Sequence, residues 1–120
     1  MEDFGYRKLL VYSKAKQLVF ASYKLIRVFP KEENYALSDQ IRRSAVSITS
    51  NIAEGLSRFS VKDKVHFLQI SHGSLMELTS QFEIAALLGY ITPDQQQSID
   101  ILASEIGRML NGLAKSFTPR

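Results

Sequence analysis

Two histidines, His66 and His72, are the residues of this sequence best suited to ligate a metal ion. They stand six positions apart, so they do not share a helix face. A di-iron site in a four-helix bundle uses Glu-x-x-His on two helices and further glutamates on the others. Only Asp63-x-x-His66 comes near this pattern, and it occurs once. The sequence therefore predicts no metal site, and we interpret His72, which falls in an apolar seam, as a hydrogen-bonded core residue.

Nucleophilic and phosphate-transfer chemistry finds as little support in the sequence. Ser44, Ser47 and Ser50 have no evident base or oxyanion partner. The chain has no glycine-rich phosphate loop of either standard spacing. We therefore predict no catalytic residue, no cofactor and no enzymatic activity.

Basic and aromatic side chains interleave on one side of the first predicted helix, at Lys16, Phe20, Tyr23, Lys24 and Arg27. Such a mixture suits a nucleic-acid strand, whose phosphates contact cations and whose bases stack on aromatic rings. Exposed aromatic side chains on a helix more often form a subunit contact, because large apolar surface seeks a partner. We assign Phe20 and Tyr23 to an oligomer interface and keep Lys16, Lys24 and Arg27 as candidates for binding nucleic acid.

A second group of basic residues begins in the second predicted helix. Asp39 and Arg43 stand at i and i+4, which predicts an ion pair within the helix. Arg42 is left open to contact with a phosphate. Three further candidates for binding nucleic acid follow along the chain: Arg58, Lys62 and Lys64.

The composition is that of a folded protein, with 45% hydrophobic and 22% charged residues among 120. The net charge of +3 divides unevenly, because residues 1–64 carry +5 and residues 65–120 carry −2. A basic half of this kind favours a polyanionic partner, although a solvated basic face balanced by acids elsewhere in the fold explains it equally well. The chain has no cysteine, no signal-like start and no apolar run that approaches the roughly 18 residues of a membrane span. We expect a cytoplasmic protein with no membrane partner.

Helical periodicity recurs in four segments, and no segment alternates strictly as a strand does. The predicted helices cover about residues 6–28, 36–56 and 61–88, then a last one from Pro93 onward, with residues 117–120 fraying. Apolar residues form two adjacent rows on the first and third of these helices, which implies neighbours on two sides. Short links between the helices predict an all-α, antiparallel up-down-up-down four-helix bundle that occupies residues 1–120 as one domain.

Local signals mark where these helices begin and end. Pro30 stops the first helix, and Gly55 is a weak point or an end of the second. Ser60 fits an N-cap, and Gly89 fits a C-terminal stop. Thr92 and Gln95 flank Pro93 as a capping box.

Small residues on the second and third helices predict close helix packing. The inward side of the second helix carries Ser, Ala, Asn and Gly, which lets another backbone approach. Gly73 and Ser74 in the middle of the third helix predict tight packing, either within the bundle or between subunits. We assign Phe67, Gly73 and Ser74 to the oligomer interface, together with the two aromatic residues of the first helix.

The sequence also resembles a known family in five segments: 40–48 (QIRRSAVSI), 50–55 (SNIAEG), 67–70 (FLQI), 73–78 (GSLMEL) and 88–91 (LGYI). They are similar to the bacterial four-helix-bundle proteins that intervening sequences in large-subunit ribosomal RNA genes encode. The fold is also similar to that of the accessory protein of diversity-generating retroelements. Thr49 stands where the family commonly has proline, and residues 57–59 form a less usual turn. The resemblance implies a ring of five subunits, a role in binding nucleic acid or nucleoprotein, and no catalytic residues.

Taken together, the residues and the resemblance predict a non-enzymatic homo-oligomer, a pentamer by resemblance, whose basic surface binds RNA or DNA. The alternative is a scaffold for protein–protein interaction, in which the apolar surface serves assembly and the basic charge serves solubility. Salt-dependent binding of nucleic acid separates the two, because affinity that depends on phosphate contacts falls steeply as salt is added.

Overall fold

The apolar periodicity of the sequence corresponds to four long helices. A computed structural model describes residues 4–118 and contains α1 (Leu10–Ile26), α2 (Leu37–Ser57), α3 (Val61–Leu87) and α4 (Pro93–Phe117). Short 3₁₀ helices stand at Gly5–Lys8 and Lys31–Glu33, and the described part of the chain has no strand. Each helix packs against the next one in the chain, and α4 also packs against α1. The predicted all-α, up-down-up-down four-helix bundle is confirmed.

The first helix differs most from its prediction. It begins at Leu10 and not at Tyr6, because Leu9 is extended (ψ 137°) and separates α1 from the preceding 3₁₀ helix. The ring of Tyr6 lies edge-on to that of Tyr12 at 4.9 Å, so the aromatic side chains hold this short segment against α1. At its other end α1 stops at Ile26.

The predicted caps are confirmed at three helix ends. Ser60 Oγ accepts a hydrogen bond from the backbone N–H of Asp63, and Thr92 forms a complete capping box with Gln95. Gly89 has a φ of +81°, in the left-handed region that glycine tolerates. The backbone N–H of Tyr90 donates to the carbonyl of Ala85 at 2.9 Å, as a Schellman motif requires. Helix α4 extends to Phe117, one residue into the predicted frayed segment, whereas Pro119 and Arg120 lie outside the described residues.

Small side chains bring α2 and α3 closest together, and this pair packs most extensively. Ser71 Oγ donates to the backbone carbonyl of Ile48 at 2.8 Å, and Ser47 and Ser74 share a hydrogen bond of 2.8 Å. A Cβ atom added at Gly55 would stand only 3.0 Å from Phe67 Cβ and 3.2 Å from the carbonyl oxygen of Lys64. The predicted close packing of the second helix therefore exists, and α3 is its partner.

Two expectations about helix packing need correction. A Cβ atom at Gly73 would meet nothing within 4 Å, so Gly73 does not serve close packing inside the bundle. Gly55 is neither a break nor an end, because α2 continues past it to Ser57. The two apolar rows of α1 and α3 also need no second subunit, since each helix of the bundle already has two neighbours.

Two links at one end of the bundle are held together by a polar contact. The hydroxyl of Tyr90, after α3, donates to Glu33 Oε2 at 2.9 Å, and Glu33 precedes α2. Glu33 Oε1 also accepts from the backbone N–H of Leu37 at 3.4 Å, at the start of α2. The ring of Tyr90 contacts that of Phe29 at 5.2 Å between centroids. The hydrogen bond to Glu33, desolvation, and the negative charges of Glu33 and Glu32 raise the pKa of Tyr90.

We expect opposite effects from alanine at the two glycines. Gly55→Ala should lower the free energy of unfolding by about 1–3 kcal/mol, because the added methyl group overpacks the contact with α3. Gly73→Ala should raise it by about 0.5–1 kcal/mol, because an exposed helical position gains in propensity. Urea denaturation measures both variants, and equal effects at the two positions would contradict the assignment of Gly55 to the close contact.

We expect Tyr90→Phe to lower the melting temperature at neutral pH, because Glu33 loses its donor. A pKa raised in the folded state means that this stabilisation is complete below the ordinary tyrosine pKa of about 10 and is lost as the pH rises through the folded-state value. The difference in melting temperature between wild type and variant should therefore stay constant up to about pH 10 and narrow as the pH rises further. A difference that stays constant through this further rise would show that the hydroxyl is not responsible. The other tyrosines are common to both proteins, so their titration cancels.

Candidate nucleic-acid interface

One end of the bundle collects basic residues from three parts of the chain. The antiparallel order places the N-terminal 3₁₀ helix, the link between α2 and α3 and the C-terminus of α4 at the same end. Residues 4–9, 54–65 and 112–118, here called the basic end, contain two acids, Glu54 and Asp63, and six basic residues: Arg7, Lys8, Arg58, Lys62, Lys64 and Lys115. The corresponding segments at the opposite end, residues 27–37 and 86–95, contain two basic residues and three acids. The bundle is therefore polarised along its length.

Partners within the chain contact most of the cations at the basic end, and Arg7, for example, lies over the ring of Phe4 at 4.7 Å from its centroid. Arg58 Nε lies 3.4 Å from Glu54 Oε2, and the guanidinium lies over the ring of Phe67 at 4.7 Å from its centroid. Lys64 Nζ donates to the backbone carbonyl of Leu56 at 3.3 Å. The same ammonium group lies 5.6 Å from the ring centroid of Phe117, which ties α3 to the end of α4. These contacts hold Arg58 and Lys64 in place, and Glu54 offsets the charge of Arg58.

Lys62 and Phe59 are two exposed residues of the basic end whose side chains have no partner among the described residues. Lys62 is exposed and makes no hydrogen bond or ion pair with the described residues. Phe59 is fully exposed, in the link that joins Ser57 at the end of α2 to Val61 at the start of α3. Exposed aromatic rings beside cations also occur in proteins that bind nucleic-acid strands.

The other predicted nucleic-acid-binding residues lie elsewhere on the bundle. Lys16, Lys24 and Arg27 are exposed along α1, with Lys24 Nζ 5.5 Å from the ring centroid of Phe20. Arg42 Nη2 donates to the backbone carbonyl of Asn34 at 2.7 Å. Arg42 precedes Arg58 by 16 positions, or about 24 Å of helix at 1.5 Å per residue. Among the predicted candidates, the structure therefore groups only Arg58, Lys62 and Lys64.

The predicted ion pair of α2 is present. Arg43 Nε lies 2.8 Å from Asp39 Oδ2. Arg42 Nη2 lies 3.8 Å from the other carboxylate oxygen of Asp39, at the limit of an ion pair. Both arginines are thus engaged within the chain.

The residues assigned to an oligomer interface divide between the surface and the interior. Phe20 is 65% exposed and lines a groove of about 280 Å³ between α1 and α4, while Tyr23 is exposed over the groove between α1 and α2. Gly73 is exposed on the outer face of α3. Ser74 is buried and bonded to Ser47, and Phe67 packs against α2 at Gly55, so contacts within the chain account for both.

The outer face of α3 also carries four exposed apolar side chains: Ile70, Met76, Ile84 and Leu87. Ile70 belongs to one of the two predicted apolar rows of this helix, and the sequence interpretation did not single out the other three. Residues 65–76 contain no Asp, Glu, Lys or Arg, and this charge-free run was the available signal. A helix that faces water on one side ordinarily carries charged residues there. The outer face of α3 is therefore free of charge over residues 65–76, whereas the exposed Glu77 and Glu83 stand among the apolar side chains of its second half.

The histidines stand apart from each other. His66 is exposed, with its ring edge-on to Phe67 at 5.4 Å. His72 is half-buried beside a cavity of about 140 Å³ between α3 and α4, and it makes no hydrogen bond with the described residues, contrary to our interpretation. Residues 4–118 contain no group of three or more His, Asp or Glu placed to hold a metal ion. None of the four helices in this part of the chain is long and apolar enough to cross a membrane.

Comparison with known proteins agrees with this fold. Residues 7–112 match the model of the 23S rRNA-intervening sequence protein family. A crystal structure from Bacteroides thetaiotaomicron, described as a protein with unknown function from the S23 ribosomal protein family, is 27% identical and has a TM-score of 0.81. That similarity covers 88% of this chain and 99% of the other. No curated protein matches the chain. The chain belongs to the family of 23S rRNA-intervening sequence proteins.

Proposed function

We propose that this chain is a non-enzymatic, oligomeric protein that binds nucleic acid through the basic end of its bundle. The observation that carries the proposal is the concentration of six basic residues against two acids among the described residues of one end, while the described residues of the opposite end carry no excess of positive charge. The family is named for sequences within ribosomal RNA genes, which makes RNA the first ligand to test.

The charges of the basic end suit contacts with phosphates. Lysine and arginine that neutralise phosphates release condensed counterions, so each contact adds affinity that decreases with salt. Arg58 and Lys64 are already held in place by Phe67, Leu56 and Phe117, so their positions change little when a ligand binds. Lys62 remains available for a direct ion pair with a phosphate. No base-specific side chain is needed for binding of this kind.

Assembly would place several basic ends on one particle. The outer face of α3 presents Ile70, Ile84 and Leu87 to solvent around the exposed Gly73. A second copy that covers this face would remove apolar surface from water, at roughly 25 cal/mol for each Å². In the ring of five that the resemblance implies, the symmetry axis makes all basic ends equivalent, and several weak contacts with one polyanion then act together.

A scaffold for protein–protein interaction is the second candidate. The apolar outer face of α3 favours it, because such a face needs a covering partner whether or not nucleic acid binds. In that case the basic end would only keep the assembly soluble. The two candidates differ in whether a change of charge at the basic end alters RNA affinity.

We expect the triple variant Arg58→Gln, Lys62→Gln, Lys64→Gln to bind a labelled stem-loop RNA at least about tenfold more weakly than wild type in low salt. The slope of log affinity against log salt should become shallower by about 2, because two or three phosphate contacts are removed. The matched control is Lys16→Gln, Lys24→Gln, Arg27→Gln, which removes the same charge from α1. Fluorescence anisotropy at several salt concentrations measures both, after circular dichroism shows that both are folded. Equal losses in the two variants would refute a site at the basic end, and no effect in either would favour the scaffold.

We expect Ile84→Glu to reduce the mass of the particle in solution, because a carboxylate on the outer face of α3 opposes its burial against another copy. Light scattering on a size-exclusion column should then show species approaching the 13.6 kDa of one chain. Ile101→Glu is the matched control, since Ile101 is an exposed isoleucine on α4. A wild-type monomer, or an Ile84→Glu protein with the wild-type mass, would contradict assembly through α3.

A further inference from the structure

The ring of Phe59 differs from the other phenylalanine rings of the described residues in being fully exposed without a ring or cation partner; among the tyrosines, Tyr35 at the opposite end of the bundle is similarly exposed, at 97%. All seven phenylalanines lie in the described part of the chain. Phe29 and Phe82 are buried, Phe67 and Phe117 are half-buried, and the exposed rings of Phe4 and Phe20 each lie under a cation of their own helix or turn. Phe59 is fully exposed and has no ring or cation partner among the described residues.

We propose that Phe59 stacks against an unpaired base, so that the basic end binds single-stranded nucleic acid or the loop of a folded RNA. This inference rests on the proposed function and makes it more specific, because it names the structural class of the ligand. A base within a duplex has both faces covered by its neighbours and offers no free face to the ring. Stacking on Phe59 therefore selects unpaired nucleotides.

The surroundings of Phe59 favour a nucleic acid over an apolar partner. Its neighbours in the link are Arg58 and Ser60, and Lys62 follows in the first turn of α3. A hydrophobic docking site usually has several exposed apolar side chains together, whereas Val61 is the one other exposed large apolar side chain among residues 54–65. In a nucleic-acid strand each base is joined to a phosphate. A ring that stacks on the base, with cations beside it to contact the phosphate, matches this repeating unit.

The link that carries Phe59 is ordered on both sides. The backbone N–H of Arg58 donates to the carbonyl of Gly55 at 3.2 Å, at the end of α2. The backbone N–H of Lys64 donates to the carbonyl oxygen of Ser60 at 3.0 Å. The backbone N–H of Asp63 donates to the hydroxyl oxygen of Ser60 at 3.1 Å. With its neighbours fixed by two helices, the ring loses little backbone freedom when a base binds.

The chain contains no tryptophan, so a single substitution supplies a fluorescent probe at this position. We expect the fluorescence of Phe59→Trp to be quenched when a 12-nucleotide single-stranded RNA is added in low salt, because a stacked base contacts the indole. Tyr35→Trp is the matched control, since Tyr35 is 97% exposed and lies in the link between α1 and α2 at the opposite end. Its fluorescence should not change. A 12-base-pair RNA duplex should quench neither probe.

Affinity measurements separate stacking from charge. Phe59→Ala should bind the single strand about tenfold more weakly, with an unchanged salt slope, because no phosphate contact is lost. Its affinity for the duplex should equal that of wild type, and Phe59→Tyr should retain binding to the single strand. The melting temperature and the particle mass should stay the same, because the ring is entirely in solvent.

The outcomes that overturn the inference differ from those that overturn the proposed function. Stacking is refuted if the triple charge variant loses RNA binding while Phe59→Ala keeps it. It is also refuted if RNA binds Phe59→Trp without quenching its fluorescence. Either result leaves the basic end as a site for phosphates. A lower particle mass in Phe59→Ala assigns the ring to a contact between copies and also refutes stacking. Absence of binding to both the single strand and the duplex in low salt overturns the inference and the proposed function together.

Discussion

The close approach of α2 to α3 is the constraint on which most of the structure depends. A glycine at position 55 and serines along the shared face let the two backbones come near enough for hydroxyl groups to bridge them. Larger side chains at these positions would push the helices apart and break the bridges. Because small residues occupy the contact between α2 and α3, the large side chains of Ile48 and Ile52 lie in the centre of the bundle, where both are fully buried.

The same contact positions the candidate site. Gly55 admits Phe67, and the ring of Phe67 supports the guanidinium of Arg58 at 4.7 Å. A short link of three residues then joins α2 to α3, with Phe59 at its centre. The packing of Phe67 against Gly55 and the position of the Arg58 guanidinium are therefore linked.

Much of the fold could be predicted from the sequence, because its signals are local. Thr92, Pro93 and Gln95 determine the start of α4 through contacts within one turn, and Gly89 determines the end of α3 through its own backbone angle. The start of α1 could not be predicted in the same way. It depends on an extended Leu9 and on the contact of Tyr6 with Tyr12, and helical periodicity continues through that segment regardless.

The candidate site was only partly predictable, for a geometric reason. Arg58, Lys62 and Lys64 are close in the sequence, so they can be grouped without knowledge of the fold. Arg7 and Lys115 join them only because antiparallel helices return the chain to the same end, and the sequence interpretation did not follow that topology to its consequence. Periodicity also could not tell which glycine faces a neighbour. One residue along a helix turns the side chain by about 100°, which separates the exposed Gly73 from the buried Ser74.

The short link between α2 and α3 also has a consequence for the order in which the chain folds. Closing a loop of a few residues costs little chain entropy, so these two helices can pair before the rest of the chain is ordered. Their contacts are local in sequence, as in the helical proteins that fold fastest. The contact between α1 and α4 joins opposite ends of the chain, so it closes a much longer loop at a greater cost in chain entropy. An α2–α3 hairpin that forms first would place the exposed phenylalanine and its neighbouring cations in their final arrangement before the bundle closes.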